Sequence, residues 1–532
     1  MGRRSVAKAT AIITTASILS KCLGFARETV VAKFFGATSQ TDAYLVAFII
    51  PGVILSLLGG ALPGTMIPVF TEFLGSHRED RAWRMSNTLT NLIIITLSLG
   101  AILGWYLAPT LVPLLAPGFS QEVIDLAVYL TRIMMPMVVF VTLSGLATAI
   151  LQSYQKFAFP ALMGIPYSIT MILFLVAFGQ RLGIVGLALA TVLAGISQCL
   201  FLLPALSGLA KRRRSGIPVG EAVGKSTEKV PQARFKFLLD LKDPAVAQVG
   251  RLIIPILIAG AVGQINAIVD RTMASRLPEG SIAALNYGHK VMALPLGLFV
   301  GAITTAIYPS LSLSIAQGKL SEFKRGISDG LRMVSLIMIP SAVGLLVLGE
   351  PIIQLLFQRG AFTHEATILS NQALRFYALG LLPLSFQMII AKAFWAYQDT
   401  WSPLKVSVIA VLSNIAFNFI FIGPLGHGGL ALGTTLSVVV WVSIMTVLLR
   451  RKVGPLGGGK IVASLVRVSL AGLVMGICVL QVYKLLLPQG LLLSVAGSIL
   501  CGIIIYVFGL VLFGVEEAKS FASLLRGRLA KE

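Results

Sequence analysis

Charge is scarce in this chain. Of its 532 residues only 12% are Asp, Glu, Lys or Arg, while 56% are hydrophobic. Water-soluble domains carry about twice that share of charge, so a soluble enzyme is excluded. Acids are scarcer than bases, 21 Asp+Glu against 43 Lys+Arg, a formal charge of +22. In a soluble protein that excess would point to nucleic acid; in a chain bound for lipid it marks cytoplasmic loops, and no nucleic-acid partner is expected. The four cysteines, Cys22, Cys199, Cys478 and Cys501, sit in apolar stretches without a CxxC, which argues against a disulfide framework or a zinc site. The four histidines, His77, His289, His364 and His427, are scattered, with no HExxH or HxxxH. There is no adjacent Asp pair, no DxD and no GxxxxGK[ST], so metal-assisted catalysis and P-loop ATP hydrolysis are not expected. The GGGK at 457–460 is a loop fragment without the rest of a phosphate-binding motif. No signal peptide is expected, because Arg3-Arg4 precede a long helix that has its own charges and lacks a small-x-small cleavage site.

Long apolar runs are abundant. A bilayer core needs about 20 apolar residues per helix, and fourteen such runs lie near 8–34, 41–72, 86–109, 122–152, 158–179, 183–207, 247–276, 283–313, 327–349, 366–396, 403–422, 428–449, 461–486 and 491–514. The reading is an all-α polytopic membrane protein of about 14 transmembrane helices. With the N-terminus inside, inner segments hold 27 Lys and Arg and outer segments five, which predicts that both termini are cytoplasmic. The KRRR run at 211–214 reads as a stop-transfer flank, with lipid binding as the alternative.

The sequence repeats at a spacing of 243 residues. Phe119 matches Phe362, Arg132 matches Arg375, Tyr154-Gln155 matches Tyr397-Gln398, and Pro160 matches Pro403. GLALAT at 186–191 matches GLALGT at 429–434 in the same register. Each copy carries six spans, an even number, so the copies insert in the same orientation as two parallel repeats, an organisation typical of transporters. The expected organisation is an N-terminal six-helix lobe at 1–210, a basic cytoplasmic linker at 211–245, a C-terminal six-helix lobe at 246–452, and two further helices with a basic tail at 453–532.

Eleven basic residues fall within these spans. A charge at mid-bilayer costs at least about 2.5–3.5 kcal/mol. Arg251, Arg332, Lys392, Lys405 and Arg467 lie near an inner end and can snorkel. The deeper candidates are Lys21, Arg27, Arg271 and Lys290, against the acids Glu28, Asp42 and Asp270, with His289 able to add charge on protonation. One reading is internal pairing, Lys21 with Glu28 and Arg271 with Asp270. The other is a cationic site whose surplus base is neutralised by an anionic ligand, since guanidinium groups suit phosphate oxygens. Arg132 and Arg375, at equivalent positions of the repeat, fit either a structural or a substrate-contacting role. The last two spans hold charge only near their ends, which suits packing or a groove for a lipid tail.

The run LSKCLGFARETVVAKFFGATSQTDAYLVAF at 19–48, followed by P-x-F at 68–70 and VDRTMASRL at 269–277, resembles the signature of the MurJ/MviN family, lipid II flippases of the MOP exporter superfamily. The resemblance covers the whole chain. It implies a V-shaped MOP/MATE-like fold and alternating access. It also implies a cationic cavity for the diphosphate-sugar-peptide head group and a groove at the last two helices for the undecaprenyl tail. On the family's motif the basic position before LGF is Lys21, the arginine of GF-x-R is Arg27, the following acid is Glu28, the T-D-A aspartate is Asp42, and the base of the eighth helix is Lys290. The chain departs from the family at Leu55-Ser56, where many members have an Arg pair, and at Gly59-Gly60, where they have Glu-Gly. His289 and Ala293 likewise stand where acids are usual; Asp270-Arg271 is a candidate compensation.

The function implied is flipping of lipid II from the cytoplasmic to the outer leaflet of the bacterial inner membrane. No cofactor is expected, and the energy would come from the membrane potential, a Na+ or H+ gradient, or a partner. Cell-wall synthesis proteins are further candidate partners. The alternatives are a flippase for another polyprenyl-linked glycan of the O-antigen or teichoic acid type, a cation-coupled MATE-type drug exporter, whose cavity should be acid-dominated, and a membrane glycosyltransferase, for which no acidic or histidine constellation is present.

Overall fold

In hydrocarbon every backbone N–H and C=O must find its partner within the protein, so a chain this apolar crosses as helices. The computed structural model describes residues 3–76, 78–214, 237–240 and 242–515, and among them every regular element is helical. Most of the basic linker (215–236 and 241), His77 and the basic tail at 516–532 lie outside the described residues. The chain divides into two compact units, Met1–Arg276 and Leu277–Glu532.

The first unit runs through α1 (Arg3–Phe35), α2 (Ser39–Ala47), α3 (Ile49–Gly75), α4 (Glu79–Leu115), α5 (Gln121–Met134), α6 (Met137–Ser153), α7 (Ala158–Leu162), α8 (Gly164–Arg214) and α9 (Pro244–Ala274). Its core joins Met66 and Phe70 of α3 to Met85 of α4, Ile150 of α6 and Val249 of α9. The start of α9 is fixed by Asp243, whose side chain accepts the Ala245 N–H at 2.9 Å, with Pro244 preset for the first turn.

The second unit runs through α10 (Ser281–Pro295), a π turn at Leu296–Val300, α11 (Gly301–Ala316), α12 (Leu320–Phe357), α13 (His364–Leu379), α14 (Leu381–Ala396), α15 (Trp401–Leu425), α16 (His427–Val453), α17 (Gly458–Leu486), a 3-10 turn at Leu487–Gln489 and α18 (Leu491–Leu512). Buried Tyr287, Phe357 and Phe362 pack as an aromatic triad, with ring centroids 5.1–5.8 Å apart. The last two helices are anchored on α12, where Tyr506 Oη donates to the Leu336 carbonyl at 2.7 Å and Val468 and Met475 are buried beside it.

Among the described residues ten helices are long and apolar enough to cross a membrane, or twelve if the bent pairs α5–α6 (41°) and α13–α14 (45°) are each one span. The expected fourteen are not all recovered. α1 is not among the ten, and α8 counts only once. At 51 residues α8 would extend about 77 Å, more than twice the hydrocarbon thickness. Gly183 (φ 55°, ψ −144°) divides it into two rods at the boundary read from the sequence. The run expected as one span at 41–72 is broken at Phe48 into α2 and α3. Pro51 lacks the N–H that would bond the Ala47 carbonyl four residues back; the Thr131 hydroxyl approaches that oxygen at 3.4 Å instead.

The 243-residue repeat reappears in the backbone. Among the described residues only two non-glycines have positive φ, Gln155 (58°) and Gln398 (59°), one in each copy. Both end a helix in the same way: Gln155 and Lys156 donate to the Gln152 and Leu151 carbonyls, as Gln398 and Asp399 do to those of Trp395 and Phe394. Gly426 (φ 55°, ψ −133°) repeats the backbone of Gly183.

The copies differ in charge at this turn, Lys156 in one and Asp399 in the other. Asp399 accepts from Lys452 Nζ at 2.6 Å, from the Ser402 N–H at 3.0 Å and from the Ser402 hydroxyl at 2.8 Å. Partial burial alone would raise its pKa, but these hydrogen bonds and the Lys452 charge outweigh it and lower it to about 2. Such a carboxyl stabilises the fold above its ordinary value of 3.8, and the contribution is lost as pH falls through about 2. Asp399→Asn should therefore remove part of the acid sensitivity of thermal unfolding between about pH 5 and pH 2; an unchanged acid profile would contradict this role. Gly183→Ala and Gly426→Ala should each lower the melting temperature, at a backbone cost of about 1–3 kcal/mol. Gly423→Ala, within α15 and with nothing within 4 Å of the added carbon, should not.

Candidate functional site

The candidate charges are distributed over both units. Lys21, Arg27 and Glu28 lie on α1, Asp42 opens α2, Arg132 is on α5 and Asp270-Arg271 are in the last turns of α9. His289-Lys290 are on α10 and Arg375 is on α13, in the second unit. Among the seven principal candidates, the first unit thus holds three bases and three acids, and the fourth base, Lys290, belongs to the second.

On α1 the ion pair joins neighbours in sequence: Arg27 Nη2 meets Glu28 Oε1 at 2.7 Å, with the side chains 22% and 13% exposed. Consecutive helical residues do not face each other, so the contact forms only because the long guanidinium reaches round the helix. The same guanidinium lies 5.2 Å from the ring centre of Tyr167 on α8. A carboxylate and a π face together offset the cost of removing this cation from water. Lys21, two turns earlier, is exposed.

α2 is a nine-residue helix held at both ends. The Thr38 side chain caps its start, accepting the Thr41 N–H at 3.4 Å, and buried Asp42 stands in the first turn, where the helix dipole favours an acid. At the other end Arg271 Nη1 donates to the Leu45 carbonyl at 3.3 Å, where the dipole favours a cation. A cavity of about 130 Å³ adjoins this contact, lined by Phe48, Ile49, Gly52, Gln264, Ile268 and Arg271. A side chain at Gly52 would come within 3.0 Å of the Phe48 ring. On the neighbouring turn of α9, Asn266 Oδ1 is buried without a hydrogen-bond partner.

Tyr44 ties α2 to α8 through its hydroxyl, 2.9 Å from the Thr191 hydroxyl. Thr191 donates its own hydrogen to the Leu187 carbonyl at 2.7 Å, so Tyr44 is the donor to Thr191. Tyr44, Tyr167 and Thr191 are positioning groups that the charge reading passed over. Tyr44 was visible within the T-D-A-Y run and Thr191 closes the GLALAT segment of the repeat; Tyr167 lies among apolar residues with no local signal.

The secondary candidates are placed differently. Arg132 donates through Nε to the Trp105 carbonyl at 3.2 Å and stacks 4.5 Å over its ring, beside a cavity of about 340 Å³ that includes Gln121, Asp125 and Tyr129. Its repeat partner Arg375 is exposed. Lys290 Nζ lies 5.8 Å from the Tyr287 ring, and exposed His289 stands edge-on to Tyr377 at 5.4 Å. Among the residues expected to snorkel, Lys392 lies over Trp395 and Tyr308 at 4.4 and 5.0 Å, and Arg467 donates to the Gly514 carbonyl. No group of three or more His, Cys, Asp or Glu among the described residues is placed to hold a metal ion. The chemistry available here is electrostatic: guanidinium and ammonium groups in an apolar frame, suited to holding and releasing an anion.

The Tyr44–Thr191 contact gives a directional expectation. Thr191→Val strands a buried phenol donor and should cost about 1–3 kcal/mol of stability, more than Tyr44→Phe. The double variant should be no worse than Thr191→Val alone. Equal, additive losses in thermal unfolding would refute the donor assignment.

The family described as "Lipid II flippase MurJ" matches residues 31–500. The chain is 30% identical over 438 residues to the lipid II flippase MurJ of Burkholderia cenocepacia, covering 81% of both chains. It is 32% identical over 446 residues to the probable lipid II flippase MurJ of Vibrio cholerae, covering 82% of this chain and 81% of that one. Among solved structures it is similar to a lipid II flippase MurJ in an inward closed conformation, with a TM-score of 0.78 and 25% identity over 94% of this chain and 98% of the other. An inward-facing MATE-family transporter of the MOP superfamily shares the fold, with a TM-score of 0.68 at 14% identity over 84% of this chain and 98% of the other.

Proposed function

The chain belongs to the MurJ family, and on that premise we propose that it carries lipid II across the bacterial cytoplasmic membrane, from the inner to the outer leaflet, by alternating access. It is a multi-pass membrane transporter and not an enzyme. Both termini face the cytoplasm in this reading, because the inner segments carry 27 Lys and Arg against five outside. Cell-wall synthesis proteins take up the delivered lipid, and the membrane potential or a Na+ or H+ gradient supplies the energy.

The observation that carries the site assignment is Arg27, a guanidinium on an apolar helix, held by Glu28 and the face of Tyr167. Lys21, Arg27 and Arg271 are the cations proposed to meet the diphosphate in the first unit, with Glu28, Asp42 and Asp270 balancing them when the lipid is absent. Lys290 is the corresponding cation of the second unit, and His289, Arg132 and Arg375 are secondary contacts. A dianionic head group changes this balance on binding and restores it on release. That is the differential interaction a two-state carrier requires.

Arg27→Ala should fail to support growth of a strain depleted of its own lipid II flippase, while reaching the membrane at wild-type levels. Lipid II should then stay inaccessible from the outer face in a leaflet-accessibility assay. Full rescue by Arg27→Ala would overturn the assignment of this residue. Rescue by neither the variant nor the wild-type chain would favour another polyprenyl-linked glycan as cargo.

A further inference from the structure

The first unit contains a feature that transport through the charged site leaves unused. Between α4, α6 and α8 lies a cavity of about 560 Å³, within the range of sites that hold small ligands. Along α8 its wall is Ile196, Cys199, Leu200, Leu203, Leu206 and Ser207, one face of the helix. The eleven steps from Ile196 to Ser207 rise about 16 Å, close to one leaflet's share of a bilayer core. Leu200 and Leu203 are about half exposed, so the groove is open along its length.

Its two ends differ chemically. Ile94, Phe140 and Ile196 make one end wholly apolar. At the other end stand Trp83, Ser86 and Asn87 of α4 with Ser207 of α8. Exposed Arg84 lies one turn from Asn87 on α4, and α8 continues from Ser207 into the sequence Lys211-Arg212-Arg213-Arg214. An apolar trough one leaflet long, ending in hydroxyls, an amide and basic residues, matches a membrane lipid with a phosphate head.

We propose that this groove binds one anionic glycerophospholipid. An acyl chain lies along Leu203, Leu200 and Ile196, and the phosphate meets Ser207, Asn87 and Arg84. The site is separate from the Arg27 cluster and its occupancy does not depend on the transported cargo.

Cys199 lines the groove and provides the probe. In the full chain with Cys22, Cys478 and Cys501 replaced by Ser, the rate of Cys199 alkylation by N-ethylmaleimide is measured in nanodiscs. Replacing phosphatidylcholine with phosphatidylglycerol should slow it about fivefold, the contribution expected of one basic side chain near an anionic head group, and Arg84→Ala should remove most of that protection. Native mass spectrometry should show one retained phosphatidylglycerol that is lost on Leu203→Trp, which fills the trough. Equal alkylation rates in the two lipids would overturn the proposal whether or not Leu203→Trp folds. So would stronger protection by undecaprenyl phosphate than by phosphatidylglycerol, which would make the groove a polyprenyl site.

Discussion

A guanidinium taken into a bilayer costs at least about 2.5–3.5 kcal/mol unless the protein answers its charge, and the first unit is arranged around two that are answered in different ways. Arg27 has a carboxylate beside it and an aromatic face on α8. Arg271 has the carbonyl end of a helix. The second solution requires a helix to stop beside the guanidinium, leaving backbone groups that are expensive to bury unpaired. The break between α2 and α3 meets that need: Pro51 withholds one N–H, Thr131 reaches the carbonyl it leaves, and Arg271 takes the carbonyl two residues earlier. The short rod α2 thus has an acid at its positive end and a base at its negative end.

That break was not legible in the sequence, where 41–72 reads as one apolar run. Pro51-Gly52 lies inside it, but Pro is common within membrane helices and marks no boundary by itself. Only the contacts from α5 and α9, distant in sequence, show why the chain bends at Phe48. The pairing of Arg27 with Glu28 was hidden for a related reason. Face geometry favours partners three or four residues apart, and a long side chain curling back to its neighbour depends on the packing of α8. Boundaries marked by glycine were legible, as at Gly183, because the conformation required there leaves a compositional trace.

The repeat was legible as matched residues, and the structure adds what those residues do. Gln155 and Gln398 end their helices in the left-handed region, kept by glutamine where glycine would be easier. The tyrosines that precede them pack on aromatic partners, Phe70 and Trp83 in one copy and Phe323 in the other. Backbone geometry is shared between the copies while charge is not, since the residue after each glutamine is a lysine in one and an aspartate in the other. Apolar packing fixes the frame, and charge at this turn differs between the halves.

The hairpin joining α15 and α16 turns on Gly426 alone, and α8 is kinked at Gly183 in a similar conformation. No residues are left over at either turn to form a loop. A protease therefore finds no extended peptide at these glycines, and an epitope tag inserted there would have to break helical backbone on both sides.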